Sequence, residues 1–119
     1  MTAANHIRET LRADLKTAMV ERRVDDVSLI RTLIAAIDNA EAVDLPEGAT
    51  TTTEMPRKVL GEDDVAAVLR AEVASRQLAA AQIRERGNTA EANRLDNEAN
   101  RVAAYLGHFS QAPLPTPSG

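Results

Sequence analysis

Cysteine is absent from the 119-residue chain, and its aromatic residues are limited to one tyrosine and one phenylalanine. The lack of cysteine excludes disulfides, thiol nucleophiles and cysteine-bound metals. Because large rings usually dominate core burial, the core must instead consist of Leu, Ile and Val, with alanines that let helices approach closely. Runs of β-branched and aromatic residues are also missing, so the composition favours an all-α fold.

Long apolar runs are missing as well. The N-terminal stretch MTAANHIRETLRADL has no apolar segment of the signal-peptide kind, and no run approaches the length of a membrane span. The net charge of −4 gives no bulk electrostatic attraction to nucleic acid or to anionic membranes. The length fits a single domain. We therefore expect one cytoplasmic domain without a membrane partner.

Glycine and proline punctuate the chain and leave four long segments free of both, as helix interiors require. The first predicted helix runs from about Asn5 to Arg23, and the third runs from just after Gly61 to a C-cap at Gly87. The second begins at an N-cap, Asp25 or Asp26, and ends near Val43. The fourth begins at an N-cap, Asn88 or Thr89, and ends at Gly107. Two helical hairpins are the predicted fold.

Apolar residues three and four apart mark the buried face of each predicted helix. The predicted faces are Ile7, Leu11, Leu15, Ala18 and Met19; Val27, Ile30, Leu33, Ile34 and Ile37; Val65, Val68, Leu69, Val73, Ala80 and Ile83; and Leu95, Ala99, Val102 and Leu106. Between the second and third helices lies a long linker at 44–61, rich in proline and threonine. The proline-spaced tail at 108–119 is predicted to be disordered, which leaves 1–107 as the helical domain.

Residue patterns for catalysis are missing from the chain. Neither His6 nor His108 has a partner at metal-ligand spacing, and both lie near chain ends. There is no glycine-rich phosphate loop, nucleophile elbow or pair of carboxylates at metal-binding spacing. We therefore predict a protein that is not an enzyme, with no cofactor and no metal.

Charged residues nevertheless occur in the predicted apolar faces. Glu72 and Arg76 lie one turn apart near the centre of the third face, while Glu41 and Glu98 lie on or beside the second and fourth. Because buried charges must be paired, we expect Arg76 to bridge Glu72 and at least one of Glu41 and Glu98, which would set the register between the hairpins. The alternatives are a solvated groove edge and, less favoured, a substrate-binding role.

A line of basic residues follows the first helix: Arg8, Arg12 and Lys16 are four apart, and Arg23 lies seven further on. Such a line could follow a phosphate backbone, which makes these four residues candidate nucleic-acid contacts. No aromatic residues interleave it for base stacking. A simple solvated face is the favoured interpretation.

Two separated segments resemble the YqeY family, which is related to the tail of the GatB subunit of glutamine-dependent tRNA amidotransferase. They are SLIRTLIAAIDNAEA (28–42) and DVAAVLRAEVASRQLAAAQIRERGNTAEANRLDNEANRVAAYL (64–106). The resemblance covers 5–106 and corresponds to the N-terminal helical domain of the family. The matching residues are Arg31, Asn39, Ala40, Glu41, Leu69, Glu72, Arg76, Gly87, Glu98, Tyr105 and Leu106.

The chain departs from the family pattern in three places. Gly107 stands where the family has a proline that leads into a second helical domain. Ala74 and Ser75 replace the lysine or glutamine that usually precedes the arginine, and the aromatic residue usual before the turn glycine is missing. The family's own role is poorly defined, although the tail of GatB helps to engage tRNA.

The resemblance implies an accessory function. The leading hypothesis is a non-catalytic cytosolic interaction module that docks onto a protein or ribonucleoprotein partner. The alternative is direct tRNA binding linked to amidotransferase-type aminoacyl-tRNA formation, a carbon–nitrogen ligase reaction with glutamine as amido donor. The acidic charge balance does not favour tRNA as the partner.

Overall fold

The computed structural model describes residues 2–42 and 59–109, which contain four α-helices and no strand. The helices are α1 (Ala3–Val20), α2 (Val24–Glu41), α3 (Glu62–Glu85) and α4 (Thr89–Leu106). The prediction of an all-α fold is confirmed. The predicted linker and tail lie outside the described residues, apart from 59–61 and 108–109.

The chain divides into two compact units, Met1–Gly61 and Glu62–Gly119. In the first unit α1 packs against α2, and in the second α3 packs against α4. Each unit therefore holds one of the two expected hairpins. The prediction that both hairpins belong to one domain, 1–107, stays a prediction.

The core of the α1–α2 hairpin follows the helical spacing of its apolar residues. The fully or almost fully buried side chains are Ala4, Ile7, Leu11, Ala18, Leu29, Ile30, Leu33 and Ile37. The prediction is wrong for Met19, which is 51% exposed. Met19 lies about 80° around the helix from Leu11, and Ala18 occupies the inward position in that last turn.

The core of the α3–α4 hairpin is built mostly from small and branched side chains. Its buried residues are Val65, Ala66, Leu69, Ala80, Ala92, Ala99 and Val102. The expected contribution of alanine to the core is confirmed here. Since interhelical distance depends on the side chains at the contact, these alanines suit a close pair of helices.

Both hairpins turn through the same type of helix end. After α1, Arg22 has a φ of 58°, its N–H donates to the Met19 carbonyl (3.2 Å), and the Arg23 N–H donates to the Ala18 carbonyl (2.9 Å). This is the Schellman arrangement, in which the amide of a left-handed residue and the amide of the residue after it satisfy the last helical carbonyls. The first helix therefore ends at Val20, three residues before its predicted end.

The equivalent position after α3 is Gly87, with a φ of 88°. Its N–H donates to the Arg84 carbonyl (3.0 Å), and the Asn88 N–H donates to the Ile83 carbonyl (3.2 Å). Gly87 thus has the predicted C-capping role. Glycine suits this conformation because it has no Cβ to clash in the left-handed region.

The starts of α2 and α4 were open alternatives in the sequence. Asn88 caps α4, since its Oδ1 accepts a hydrogen bond from the Glu91 N–H (3.1 Å). For α2 neither predicted aspartate is the cap. The helix begins at Val24 after Arg23, which makes no side-chain cap hydrogen bond, and Asp25 and Asp26 lie in the first turn. There they interact favourably with the helix dipole.

Candidate functional site

Arg76 joins the two helices of the second unit. Its Nε donates to Glu98 Oε1 on α4 (3.0 Å). Its Nη1 donates to two oxygens of Glu72 on its own helix, the carboxylate Oε1 (2.9 Å) and the backbone carbonyl (3.1 Å). The Arg76 side chain is 13% exposed. The structure thus brings Glu72, Arg76 and Glu98 together, and the contact joins α3 to α4 within one hairpin.

The same cluster extends along α4 through Arg94. This residue donates to Glu98 Oε2, and also to both carboxylate oxygens of Glu91 (2.7 and 2.6 Å). The hydrogen bond from Arg94 lowers the pKa of Glu91 below its ordinary value, and the charge of Arg94 adds to the effect. Carboxylates and guanidinium groups therefore alternate, and each carboxylate has a cationic partner. Such a set suits helix pairing better than proton transfer.

Glu41 belongs to the first unit, where its partner is Arg8. The Arg8 Nη2 donates to Glu41 Oε1, the Nε donates to Asp38 Oδ1 (3.1 Å), and the Nη1 donates to Asn5 Oδ1 (2.7 Å). Arg8 and Glu41 are each only 7% exposed. This ion pair joins the start of α1 to the end of α2. The sequence had instead grouped Glu41 with Arg76.

Arg8 is buried, although the sequence placed it in a basic line on the surface of the first helix. It lies about 20° from Leu15 on the helical wheel, at the edge of the apolar face. The wheel that identified Glu72 and Arg76 could therefore have identified Arg8 too. Its burial removes Arg8 from any accessible surface.

The other members of the basic line have two different environments. Arg23 is half-exposed and pairs with Glu21 (3.0 Å) and Asp26 (3.1 Å). Arg12 and Lys16 are exposed on α1, and neither forms an ion pair with any residue of 2–42 or 59–109. Within the basic line, only Arg12 and Lys16 are both exposed and without an ion pair among the described residues.

An apolar surface lies where α1 turns into α2. Met19, Val20 and Val24 are 51%, 76% and 74% exposed, and they account for three of the five large hydrophobic side chains exposed in the described part of the chain. We name these three residues the corner surface. Sequence reasoning missed it because Met19 had been assigned to the core.

A shallow groove continues from this surface along α2. Its lining residues are Val24, Val27, Ser28, Arg31, Thr32 and Ala35, which we name the α2 groove. These positions are three and four residues apart, so they share one face of the helix. Buried Leu33 and Ile37 face the α1 side, roughly opposite.

Within 2–42 and 59–109 there is no group of three or more His, Cys, Asp or Glu side chains that could hold a metal ion. None of the helices in these ranges has the length and apolarity needed to cross a membrane.

Comparison of the chain with protein-family models, curated proteins and solved structures gave no match. The resemblance to the YqeY family therefore rests on the residues quoted for it. In the structure Glu41, Glu72, Arg76, Gly87 and Glu98 hold helices together or turn the chain. Arg31, by contrast, is exposed in the α2 groove.

Proposed function

We propose that this chain is a non-catalytic cytosolic module, related to the YqeY family, that docks onto a protein or ribonucleoprotein partner. The observation that carries the proposal is the corner surface. Met19, Val20 and Val24 are all exposed within six residues at the turn between α1 and α2, and an exposed apolar patch marks an interaction site when several large side chains contribute to it.

The charges of the two hairpins support an accessory role. Arg8 and Arg76, with their carboxylates, connect helices inside each unit, so these partly buried ionic groups are occupied by structural contacts. A catalytic site needs convergent polar groups that are free to meet a substrate. The described charged groups around Arg8 and Arg76 are instead paired with one another.

Affinity purification from the native cell tests this function. The full chain is compared with the double variant Met19→Gln/Val20→Gln, which keeps helix propensity while removing the apolar surface. Leu78→Gln is the matched control, because Leu78 is also an exposed helical aliphatic residue. We expect the same partner with the wild type and the control, and its loss with the double variant. A partner profile identical in all three would contradict the proposal.

Direct tRNA binding is the second candidate, favoured by the exposed Arg12 and Lys16, which form no ion pair with the described residues. Its test is binding of bulk tRNA at low and high salt, with Arg12→Gln/Lys16→Gln as the variant. A phosphate contact predicts affinity that falls as salt rises and a smaller salt slope in the variant. No binding at low salt would exclude this candidate.

A further inference from the structure

We propose that the α2 groove binds one amphipathic, acidic helix of a partner protein. This inference rests on the proposed function, and it specifies the chemistry of the partner. The groove extends over three turns of α2 as a single helical face. Ridges formed by side chains three and four residues apart are the features into which a second helix packs.

Small side chains make up half of the groove lining. Ser28, Thr32 and Ala35 would allow the backbone of an incoming helix to approach closely, while Val24 and Val27 offer apolar contact. The Thr32 hydroxyl already donates to the Ser28 carbonyl (3.0 Å), so its proton does not require a partner. A ligand helix therefore needs aliphatic side chains on the face that it presents.

The positive charge in and beside the α2 groove indicates an acidic ligand. Arg31 lies in the groove, is exposed, and forms no ion pair with the residues that the structure describes. Arg22, in the turn that precedes Val24, also forms no ion pair with the described residues, and none of the described lining residues of the groove is a carboxylate. Carboxylates on either side of the apolar stripe of the ligand would complement these two arginines. Such complementarity sets partner choice and orientation.

Two other occupants fit the groove less well. A second copy of this chain meeting itself through the same face would bring the Arg31 side chains of both copies into an interface where the described lining residues offer no carboxylate to pair with them. Single-stranded RNA would need aromatic platforms for its bases. None of the described lining residues is aromatic, and the aromatic residues Tyr105 and Phe109 belong to the other unit.

The test uses the ¹⁵N-labelled full chain and three synthetic peptides of about 20 residues, a length that covers more than the three turns of the groove. The first peptide has a leucine stripe flanked by glutamates. The second has lysines in place of the glutamates, and the third has the composition of the first in a scrambled order. We expect saturable amide shifts between Val24 and Ala35 with the first peptide alone.

Variants then locate the contact. Arg31→Glu should weaken binding of the acidic peptide about tenfold, since a like charge replaces a complementary one. Arg70→Glu is the matched control: Arg70 is an exposed helical arginine without an ion pair among the described residues, and this change should leave affinity as it was. Circular dichroism checks that both variants keep their helix content.

Three results with the peptides would overturn the inference: equal binding of the lysine or scrambled peptide, amide shifts that fall outside α2, or binding that does not saturate. Tighter, salt-sensitive binding of a single-stranded RNA of similar length at the same amides would also overturn it. If the Met19→Gln/Val20→Gln variant still loses a cellular partner in that case, the proposed function stands without an acidic helix. If no partner depends on the corner surface, the proposed function itself fails.

Discussion

The Arg8 guanidinium on α1 donates to the Glu41 carboxylate on α2, and both side chains are almost fully removed from solvent. The two residues are 33 positions apart in the chain. Their contact closes the open end of the first hairpin, opposite the turn at Glu21–Arg23. A partly desolvated ion pair of this kind should have a measurable effect on stability.

We expect Arg8→Met to lower the free energy of unfolding by about 2–4 kcal/mol, because Glu41 would lose the guanidinium of Arg8 at a buried position. Denaturant unfolding followed by circular dichroism measures this change. Arg12→Met, one turn along the same helix but exposed, is the control and should shift the value by less than about 0.5 kcal/mol. The double variant Arg8→Met/Glu41→Met should recover much of the loss. Equal effects of Arg8→Met and Arg12→Met would contradict the assignment.

Arg76 provides the corresponding prediction in the second unit. Arg76→Met removes the contacts with Glu72 and Glu98 at a partly buried position, and we expect a loss of about 1–3 kcal/mol. Arg84→Met is the matched control on the same helix: it removes a pair with Asp96 (2.9 Å) in which both side chains are more than two-fifths exposed. Such a pair contributes about 0–1 kcal/mol. A larger loss from the control than from Arg76→Met would show that burial does not determine the effect.

The two hairpin turns predict opposite effects of two substitutions. Arg22→Gly should stabilise the protein by about 1 kcal/mol, because a residue with a Cβ is strained at a φ of 58°. Gly87→Ala should destabilise it by a similar amount, and the cost is conformational, since an added Cβ would meet no atom within 4 Å. Thermal unfolding measures both changes. Destabilisation by Arg22→Gly would indicate that the Arg22 side chain makes a contact that outweighs its strain.

Glu91 provides a prediction about pH. Its hydrogen bond from Arg94 lowers the pKa, so the carboxyl carbon of Glu91 should titrate at lower pH than that of an ordinary glutamate in an NMR experiment. The sign for stability follows from linkage: the contribution is present above the unfolded-state pKa and disappears as the pH falls through the lower folded-state pKa. Arg94→Gln should return the titration to the ordinary range, whereas Arg101→Gln should not. An unchanged pKa in Arg94→Gln would exclude the hydrogen bond as the cause.

Much of the secondary structure was predictable because helix signals are local. Gly87 ends the third segment and Asn88 begins the fourth, and in both cases a few neighbouring residues contain the signal. The end of α1 was missed because Arg22 adopts a conformation usually reserved for glycine or asparagine. Met19 was misassigned because it lies about 80° around the helix from Leu11, while Ala18 occupies the inward position in the last turn.

The polar cluster was only partly predictable. Glu72 and Arg76 are one turn apart on one helix, so their contact follows from helical geometry alone. Arg76 with Glu98 and Arg8 with Glu41 are contacts between helices, and a helical wheel contains no information about which charges face each other across a hairpin. The sequence therefore left open whether Glu41, Glu98 or both would meet Arg76; in the structure Glu98 does, and Glu41 meets Arg8.

The sequence by itself determined four helices, their approximate limits and most of their buried faces, since hydrophobic spacing and capping act over a single turn. Only the tertiary structure decided which helix each charge meets and which apolar residues stay exposed. Those outcomes depend on how far each helix is rotated and shifted against its neighbour. A rotation of one residue step, about 100°, would bury Met19 or expose Arg8 without changing the helices themselves.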